Sequence, residues 1–158
     1  MGDLDDIDRA ILRQLQKDGR TPYAELGKAV GLATSSVNER VKKLGERGVI
    51  TGVHAELSTE ALGLDLLAFI FVGWSDTGAE ESLLARISEE PAVLECHHVT
   101  GGWNYLLKVR VCNTRMLEAF LARVIQAEPG IQRTESMIVL SSAKETPRLP
   151  VDLPDWYR

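Results

Sequence analysis

Hydrophobic and polar positions in the first twenty residues follow the period of an α-helix. Ile7, Ile11, Leu12 and Leu15 form one apolar stripe, and Gly19 stands where it would cap the end of the helix. Acidic residues precede the stripe, where the positive end of the helix dipole favours them. The pattern predicts an amphipathic helix that needs neighbouring helices to cover its apolar face.

Two further helices are indicated on either side of a tight turn. TPYAELGKAV has Pro22 where a first helical turn tolerates it, and Gly31 stands where this helix would stop. Val37, Val41 and Leu44 then recur at i, i+4 and i+7, while the other faces of this third helix are polar and mostly basic. Such a pair is typical of a helix-turn-helix, which presents its second helix to the DNA major groove.

The pattern changes after residue 48. β-branched residues and Gly52 in VITGVHAEL predict a strand or short wing, so residues 1–57 are expected to form a winged helix-turn-helix domain. The next stretch, STEALG at residues 58–63, has the pattern of one helical turn capped by Ser58. We expect it to be a hinge.

Residues 64–145 alternate between strand and helix patterns. LDLLAFIFVGW, VLECHHVT, NYLLKVRV and IQRTESMIVLSS indicate strands, and EESLLARISEE and TRMLEAFLARVIQAEPG indicate amphipathic helices. The order β-α-β-β-α-β predicts a ferredoxin-like (ACT-like) αβ sandwich, an antiparallel sheet with two helices on one face. The predicted fold class is therefore α+β. A sheet face that no helix covers is usually covered by a partner copy, so a homodimer is expected.

The last segment, residues 146–158, contains three prolines. Proline excludes a regular helix or a central strand. We expect this tail to lie as an extended arm.

Composition limits where DNA contacts can come from. The chain of 158 residues is 44% hydrophobic and 26% charged, as in soluble globular proteins, and its net charge is -5. Residues 1–57 carry nine acidic and nine basic side chains, whereas residues 58–158 carry fourteen acidic and nine basic. Any DNA contact is therefore expected from a local patch and not from a generally basic surface.

Two features bear on location and redox state. No apolar run reaches the roughly 20 residues of a membrane span, and the N-terminus is acidic where a signal peptide is basic, so a cytoplasmic protein is expected. On a predicted hairpin, Cys112 lies about 13 Å beyond the residue that faces Cys96, at about 3.3 Å per residue. We expect both to be reduced, packed thiols.

The order and spacing of five stretches resemble the Lrp/AsnC (feast/famine) family of transcriptional regulators. These stretches are LDDIDRAILRQLQKDGR, AELGKAVGL, VNERVKKLGERGVITG, VTGGWNYLLKV and EPGIQRTESMIVL, within residues 4–145. The resemblance implies a DNA-binding winged helix-turn-helix and an αβ sandwich that dimerises and assembles into octamers or similar rings. It also implies that an amino acid or related small effector binds between dimers. No cofactor, metal or catalytic residue is expected besides this effector.

The resemblance also implies site residues. The DNA-facing positions of the recognition helix would be Thr34, Ser35, Ser36, Asn38, Glu39, Arg40, Lys42 and Lys43. Among these, the arginine and the lysines are expected on phosphates and the asparagine on a base edge. The effector-binding positions would be Thr100, Gly101, Gly102, Trp103, Asn104, Tyr105, Thr134 and Ser136. Glycine allows close approach of a ligand, and hydroxyls and the carboxamide would orient it.

Three positions depart from the family pattern. Ala33 stands where a serine commonly caps the recognition helix, which costs about 1 kcal/mol unless Thr34 takes the role. Glu39 stands where a basic residue is frequent, which removes one phosphate contact. Asn104 stands where an acidic residue is usual, and a carboxamide offers an α-ammonium group hydrogen bonds but no ion pair.

Other interpretations remain open from the sequence. The basic helix also fits the solvated face of an ordinary three-helix bundle, and Gly101-Gly102 also fits a plain hairpin turn. His97 and His98 are adjacent on a strand and point to opposite faces, so a shared metal ion is not expected. Sirohaem decarboxylases are similar in having the same two halves and use histidine near the sheet. A metabolite sensor without DNA binding is a third alternative.

Overall fold

The computed structural model describes residues 4–74 and 78–152. Its chain divides into two compact units. One contains Met1–Glu56 together with Glu145–Arg158, and the other contains Leu57–Lys144. The chain therefore passes from one unit to the other twice.

Three helices form the N-terminal part of the first unit, as predicted. They are α1 Asp6–Lys17, α2 Tyr23–Val30 and α3 Thr34–Glu46. Their apolar faces form a core whose buried members are Ile11, Leu12, Leu26, Val37 and Leu44. The carboxylate of Asp5 caps α1 by accepting a hydrogen bond from the backbone N–H of Asp8 at 2.7 Å.

The end of α2 and the start of α3 agree with the sequence signals, whereas the end of α1 does not. Gly31 ends α2 in the left-handed conformation, at φ 71°. Gly19 does not cap α1, because Asp18 in extended conformation does. A Cβ at residue 19 would lie 2.6 Å from the Cγ1 of Val53, so close packing explains that glycine. Ala33 precedes α3 and makes no side-chain capping hydrogen bond.

The predicted wing strand is not formed. Residues 49–57 are described and contain neither helix nor strand. A β-strand forms by hydrogen bonding to a neighbouring strand. The described residues of the first unit contain no strand that could pair with residues 49–57. The turn predicted after it is confirmed, since Ser58 Oγ accepts from the N–H of Ala61 at 3.0 Å.

The second unit has the predicted β-α-β-β-α-β order. Its elements are β1 Leu66–Gly73, α4 Gly78–Ser88, β2 Val93–His98, β3 Tyr105–Val111, α5 Thr114–Phe120 and β4 Arg133–Ile138. A π-helical turn, Leu121–Ile125, continues α5. The strands pair antiparallel in the order β2-β3-β1-β4. Helix-turn-helix helices followed by an antiparallel sheet with two helices confirm the α+β class.

Alternate residues of the strands separate the two faces of this sheet. On one face Ile70 and Leu107 are buried in one core with Leu83 of α4. On the opposite face Phe71 is half-buried, and Met137 of β4 is 46% exposed. Within this unit, the second face is therefore the one that no described helix covers.

The thiols differ in their surroundings. Cys96 and Cys112 are both free. Cys96 is half-buried, and this burial raises the pKa of its thiol. Cys112 follows the last residue of β3 and is exposed, so the expectation of a packed thiol is wrong there.

The helices in the described part of the chain are each too short or too polar to serve as a membrane span.

Candidate DNA-binding and effector-binding sites

Helix α3 separates a dry face from a polar face. At about 100° per residue, Val37 and Leu44 mark one side of the helix, and both are buried against α1 and α2. Ser35, Glu39 and Lys42 lie on the opposite side and are exposed. The remaining predicted DNA-facing residues flank this front and include Thr34, Ser36, Asn38 and Lys43, all exposed. Seven of the eight predicted residues are thus on the accessible part of the helix.

Arg40 is the exception. Its Nη1 donates to Asp5 Oδ2 at 2.6 Å and to Asp8 Oδ1 at 2.8 Å, so α1 holds the guanidinium. Asp8 is only 7% exposed. Hydrogen bonds to Asp5 and then to Asp8 raise the pKa of Arg40 above its ordinary value. The guanidinium therefore joins α3 to α1 in the DNA-free chain, and the contact of Arg40 with phosphate stays a prediction.

The cations of the front are paired along the helix. Lys43 Nζ lies 2.7 Å from Glu39 Oε1, and Lys42 Nζ lies 3.7 Å from Glu46 Oε1. The hydrogen bond from Lys43 is the main cause that lowers the pKa of Glu39. Because each lysine faces a carboxylate four residues away, the front is mixed in charge and less basic than the sequence suggested.

The predicted effector loop is the turn between β2 and β3. Gly101 has φ 108°, which favours glycine, and it turns the chain after Thr100. The N–H of Asn104 donates to the carbonyl of Val72 at 2.9 Å, and its Oδ1 accepts from the N–H of Trp74 at 2.9 Å. The carboxamide oxygen thus ties the loop to the end of β1.

Tyr105 lies in a stack of three aromatic rings. Its ring centroid is 5.5 Å from that of Trp74 and 5.0 Å from that of His98, with nearly parallel planes. Its hydroxyl donates to Glu80 Oε1 at 2.7 Å. This carboxylate and burial raise the pKa of Tyr105 to about 12. Trp74, Glu80 and His98 were not predicted as site residues, because β1, α4 and β2 meet only in the folded sheet.

The structure brings some predicted effector residues together and separates others. Val72 pairs with Tyr105 on one side and with Thr134 on the other, so these two share a row across the sheet. Ser136 lies two residue pairs further along β4, opposite Ile70. Trp103 instead packs against Phe71 on the uncovered face, with the two ring centroids 5.8 Å apart.

Arg133 supports Trp103 on that face. The Arg133 guanidinium carbon lies 4.6 Å from the centre of the Trp103 ring, and its Nη2 donates to the carbonyl of Gly102. A Cβ on Gly73 would lie 2.7 Å from the Arg133 Nε and 3.3 Å from the Trp103 Cε3. The glycine at the end of β1 therefore makes room for this cation and ring.

The two histidines of β2 face opposite sides, as expected. His97 Nε2 lies 3.2 Å from Glu95 Oε2, and Lys108 Nζ lies 3.1 Å from the other oxygen of that carboxylate. Hydrogen bonds from His97 and then from Lys108 lower the pKa of Glu95. His98 is in the ring stack instead, so the pair does not converge on one point.

Comparison with known sequences matches the helix-turn-helix part and the αβ sandwich part of the chain separately. The AsnC-type helix-turn-helix domain matches residues 4–45, and the Lrp/AsnC ligand binding domain matches residues 67–149. The HTH-type transcriptional regulator FL11 of Pyrococcus furiosus is 41% identical over 150 residues, covering 95% of this chain and 98% of the relative. The leucine-responsive regulatory protein of Salmonella typhimurium is 36% identical over 151 residues, covering 94% and 92%.

Solved structures show the same similarity. The transcriptional regulator NMB0573 of Neisseria meningitidis, in complex with L-Met, superposes with a TM-score of 0.90 at 33% identity and covers 95% of this chain and 98% of its own. E. coli AsnC superposes with a TM-score of 0.88 at 32% identity and covers 96% and 100%. This chain therefore belongs to the Lrp/AsnC family of transcriptional regulators, with a helix-turn-helix DNA-binding domain and a ligand-binding domain.

Proposed function

We propose that the protein is a cytoplasmic homo-oligomer that places α3 in the major groove of duplex DNA and changes its DNA affinity when an amino acid or related metabolite binds. The observation that carries the DNA part is the exposed polar front of α3 above a buried apolar back. Burial holds the helix in place, while its front offers hydroxyl, carboxamide, ammonium and carboxylate groups to base edges and phosphates.

The proposed DNA contacts divide by chemistry. Lys42 and Lys43 suit phosphates, because an ammonium is a point charge on a flexible stem. Ser35 and Asn38 suit base edges, and the central Glu39 suits the amino group of cytosine, a known partner of carboxylates in the major groove. Arg40 supports the helix through α1 in the DNA-free chain, and its contact with phosphate stays a prediction.

Self-association is proposed at the uncovered face of the sheet. Partly buried aromatic and aliphatic side chains there include Phe69, Phe71, Trp103 and Leu106. A second copy would remove them from water, and a two-fold axis would place two α3 helices on half-sites about 34 Å apart. Further assembly into an octamer or similar ring is proposed from the family resemblance alone.

The effector is proposed to bind at the turn formed by residues 100–105, near Thr134 and Ser136. The oxygen of Asn104 is engaged by the backbone of Trp74, so the side chain presents its NH₂ group. An amide nitrogen donates hydrogen bonds and suits a ligand carboxylate better than a ligand ammonium. The similar Neisseria meningitidis regulator is in complex with L-Met, which makes an amino acid the first ligand to test.

Selection of genomic DNA fragments by the purified protein tests the DNA part. We expect enrichment of sites with two-fold symmetry, and affinity that falls steeply as salt rises. No preference for any fragment at low ionic strength would contradict the proposal. A sirohaem decarboxylase-like enzyme, the alternative on this architecture, would ignore DNA and bind a porphyrinoid.

Gly102→Val tests the effector part. Apart from Gly102 itself and its two chain neighbours, no described residue has an atom within 4 Å of the position that a Cβ on Gly102 would take, so a larger side chain there enters open space at the turn. We expect the response of DNA affinity to amino acids to decrease while ligand-free DNA affinity stays within about twofold, because stability changes at exposed sites are small. An unchanged amino-acid titration would remove this turn from the site.

A further inference from the structure

The C-terminal segment docks on one face of α1. Arg9, Arg13 and Gln16 are spaced i, i+4 and i+7, which places them on the same side of the helix. Nη1 of Arg9 donates to the carbonyl of Val151 at 2.7 Å, and Nη1 of Arg13 lies 2.6 Å from Oδ2 of Asp152. Each of the three side chains thus contacts a backbone or carboxylate oxygen of residues 148–152. We name residues 148–152 the C-terminal latch.

Gln16 makes the most specific of these contacts. Its Nε2 donates to the carbonyl of Leu149 at 2.9 Å, and the N–H of Leu149 donates to its Oε1 at 2.8 Å. The carboxamide therefore pairs with both polar groups of one backbone residue, as a neighbouring strand would. Val151 adds an apolar contact, because it packs against the helix-turn-helix core.

The docking leaves room between the two elements. A cleft of about 420 Å³ lies between α1 and the latch, and its lining includes Lys17 and Arg148. Both ends of the Arg13–Asp152 ion pair are about half exposed, so the pair contributes little by itself. The latch is therefore held by a few reversible polar contacts and by the packing of Val151.

Helix α1 also holds the recognition helix. Asp5 and Asp8 at its start bind Arg40 of α3, whereas Arg9, Arg13 and Gln16 bind the latch. A change in the position of α1 therefore alters the contacts of Arg40 directly. The latch and α3 are connected through one helix.

The other end of the latch leads to the ligand-binding domain. Strand β4 ends at Ile138, and nine residues separate it from Arg148. β4 contains Thr134 and Ser136, which are proposed effector contacts. The match to the ligand binding domain extends to residue 149, so the start of the latch is continuous with that domain in sequence.

We propose that the C-terminal latch is a second tether between the ligand-binding domain and the DNA-binding unit, through which effector binding changes the position of α1 and hence of α3. Its docking on α1 stands on the contacts above. Its role in coupling rests on the proposed effector response. A ligand that alters β4 changes the position of the latch. Because the contacts between the latch and α1 are weak, that change alters the position of α1 and hence the DNA affinity.

Hydrogen exchange at the amide of Leu149 tests the docking in the full-length protein. We expect Gln16→Ala to accelerate that exchange about tenfold, since the amide of Leu149 loses its hydrogen-bond acceptor in a segment that can open locally. Gln14→Ala is the matched control, because it makes the same change on the same helix, and no described hydrogen bond joins its side chain to the latch. Equal exchange in Gln16→Ala and wild type would overturn the docking.

DNA affinity with and without amino acids tests the coupling. Wild type is titrated with each of the common L-amino acids, L-methionine first, and the most effective one is used with Gln16→Ala, Gln14→Ala and a chain that stops after Lys144. We expect the affinity ratio with and without ligand to fall at least about threefold toward one in Gln16→Ala and in the shortened chain, within the usual range of coupling energies.

The outcomes separate the two proposals. A full wild-type ratio in Gln16→Ala overturns the latch, while the effector response stands. No response of wild type to any amino acid overturns the effector proposal, and the coupling role falls with it, whereas the Leu149 exchange result still decides the docking. If the shortened chain fails to fold, Gln16→Ala decides the coupling.

Discussion

The two units of the chain are stabilised in different ways. Among the described residues, five buried apolar side chains form the core of the helix-turn-helix, whereas twelve form the core of the αβ sandwich. The smaller core buries less apolar surface, so its unit depends more on contacts outside the core. These contacts are the Arg40 bridge from α3 to α1 and the C-terminal latch on the same helix.

We infer from this difference that the DNA-binding unit is the more adjustable of the two. Polar contacts at helix ends and surfaces are individually weak and reversible, while a large apolar core has one packed arrangement. We therefore expect small changes in the charges around Arg40, or in the docking of the C-terminal latch, to alter the orientation of α3. The sandwich, which matches the ligand binding domain of the family, has the larger apolar core.

The largest expected effect comes from equal truncations in the two cores. Leu44→Ala and Leu107→Ala both remove a side chain that is at most 1% exposed, at a cost of about 2–5 kcal/mol each. We expect Leu44→Ala to unfold the helix-turn-helix and abolish DNA binding, while Leu107→Ala lowers the unfolding temperature of a sandwich that stays folded. Calorimetry with two resolved transitions measures both, and equal loss of DNA binding in the two variants would contradict the comparison.

The next effect separates support from contact on α3. Arg40→Ala leaves Asp8, a carboxylate only 7% exposed, without this cation, and should reduce the free energy of unfolding by about 1–2 kcal/mol after allowance for the exposure of the guanidinium. Lys42→Ala should leave stability unchanged and reduce the salt dependence of DNA binding by about one phosphate contact. Chemical denaturation and salt titrations measure the pair, and a reversed pattern would return Arg40 to the phosphates.

A smaller change is expected at the centre of the front. Glu39→Gln removes a negative charge from the DNA-facing side and releases Lys43, so non-specific DNA affinity should rise about two- to tenfold at low salt. The pKa of Glu39 is lowered, so the carboxylate is ionised throughout the range above its ordinary value, and the gain should be the same at pH 6 and pH 8. A gain that appears only at the higher pH would exclude this explanation.

The smallest effect at neutral pH is expected in the ring stack of the sandwich. Tyr105→Phe removes one hydrogen bond to Glu80, worth about 1 kcal/mol. Because the folded pKa of Tyr105 is raised to about 12 from an ordinary value of 10.0, this contribution is complete below pH 10 and is lost as pH rises through about 12. Tyrosinate absorbance should show a late-titrating group that the variant lacks. A wild-type titration without it would contradict the Glu80 bond.

The sequence alone determined the class of the protein and its helices and strands except the predicted wing strand, which is not formed. Helical spacing of Val37, Val41 and Leu44, and the order of patterns after residue 63, are local signals that survive folding unchanged. The family resemblance, carried by motifs along nearly the whole chain, correctly implied a transcriptional regulator with a ligand-binding domain. Seven of the eight residues that it predicts to face DNA are exposed on α3, and their contacts with DNA stay a prediction.

Only the tertiary structure decided which charged groups remain available and what holds α3. Arg40 has the spacing of a DNA-facing residue, yet carboxylates of α1 more than thirty positions away engage it. The tail has no periodic signal, yet it docks on α1 through Gln16. Local pattern reports the backbone conformation and the buried side of each element. The partner of a polar side chain depends on which distant segments the fold brings within hydrogen-bond distance, and no spacing along the chain encodes that.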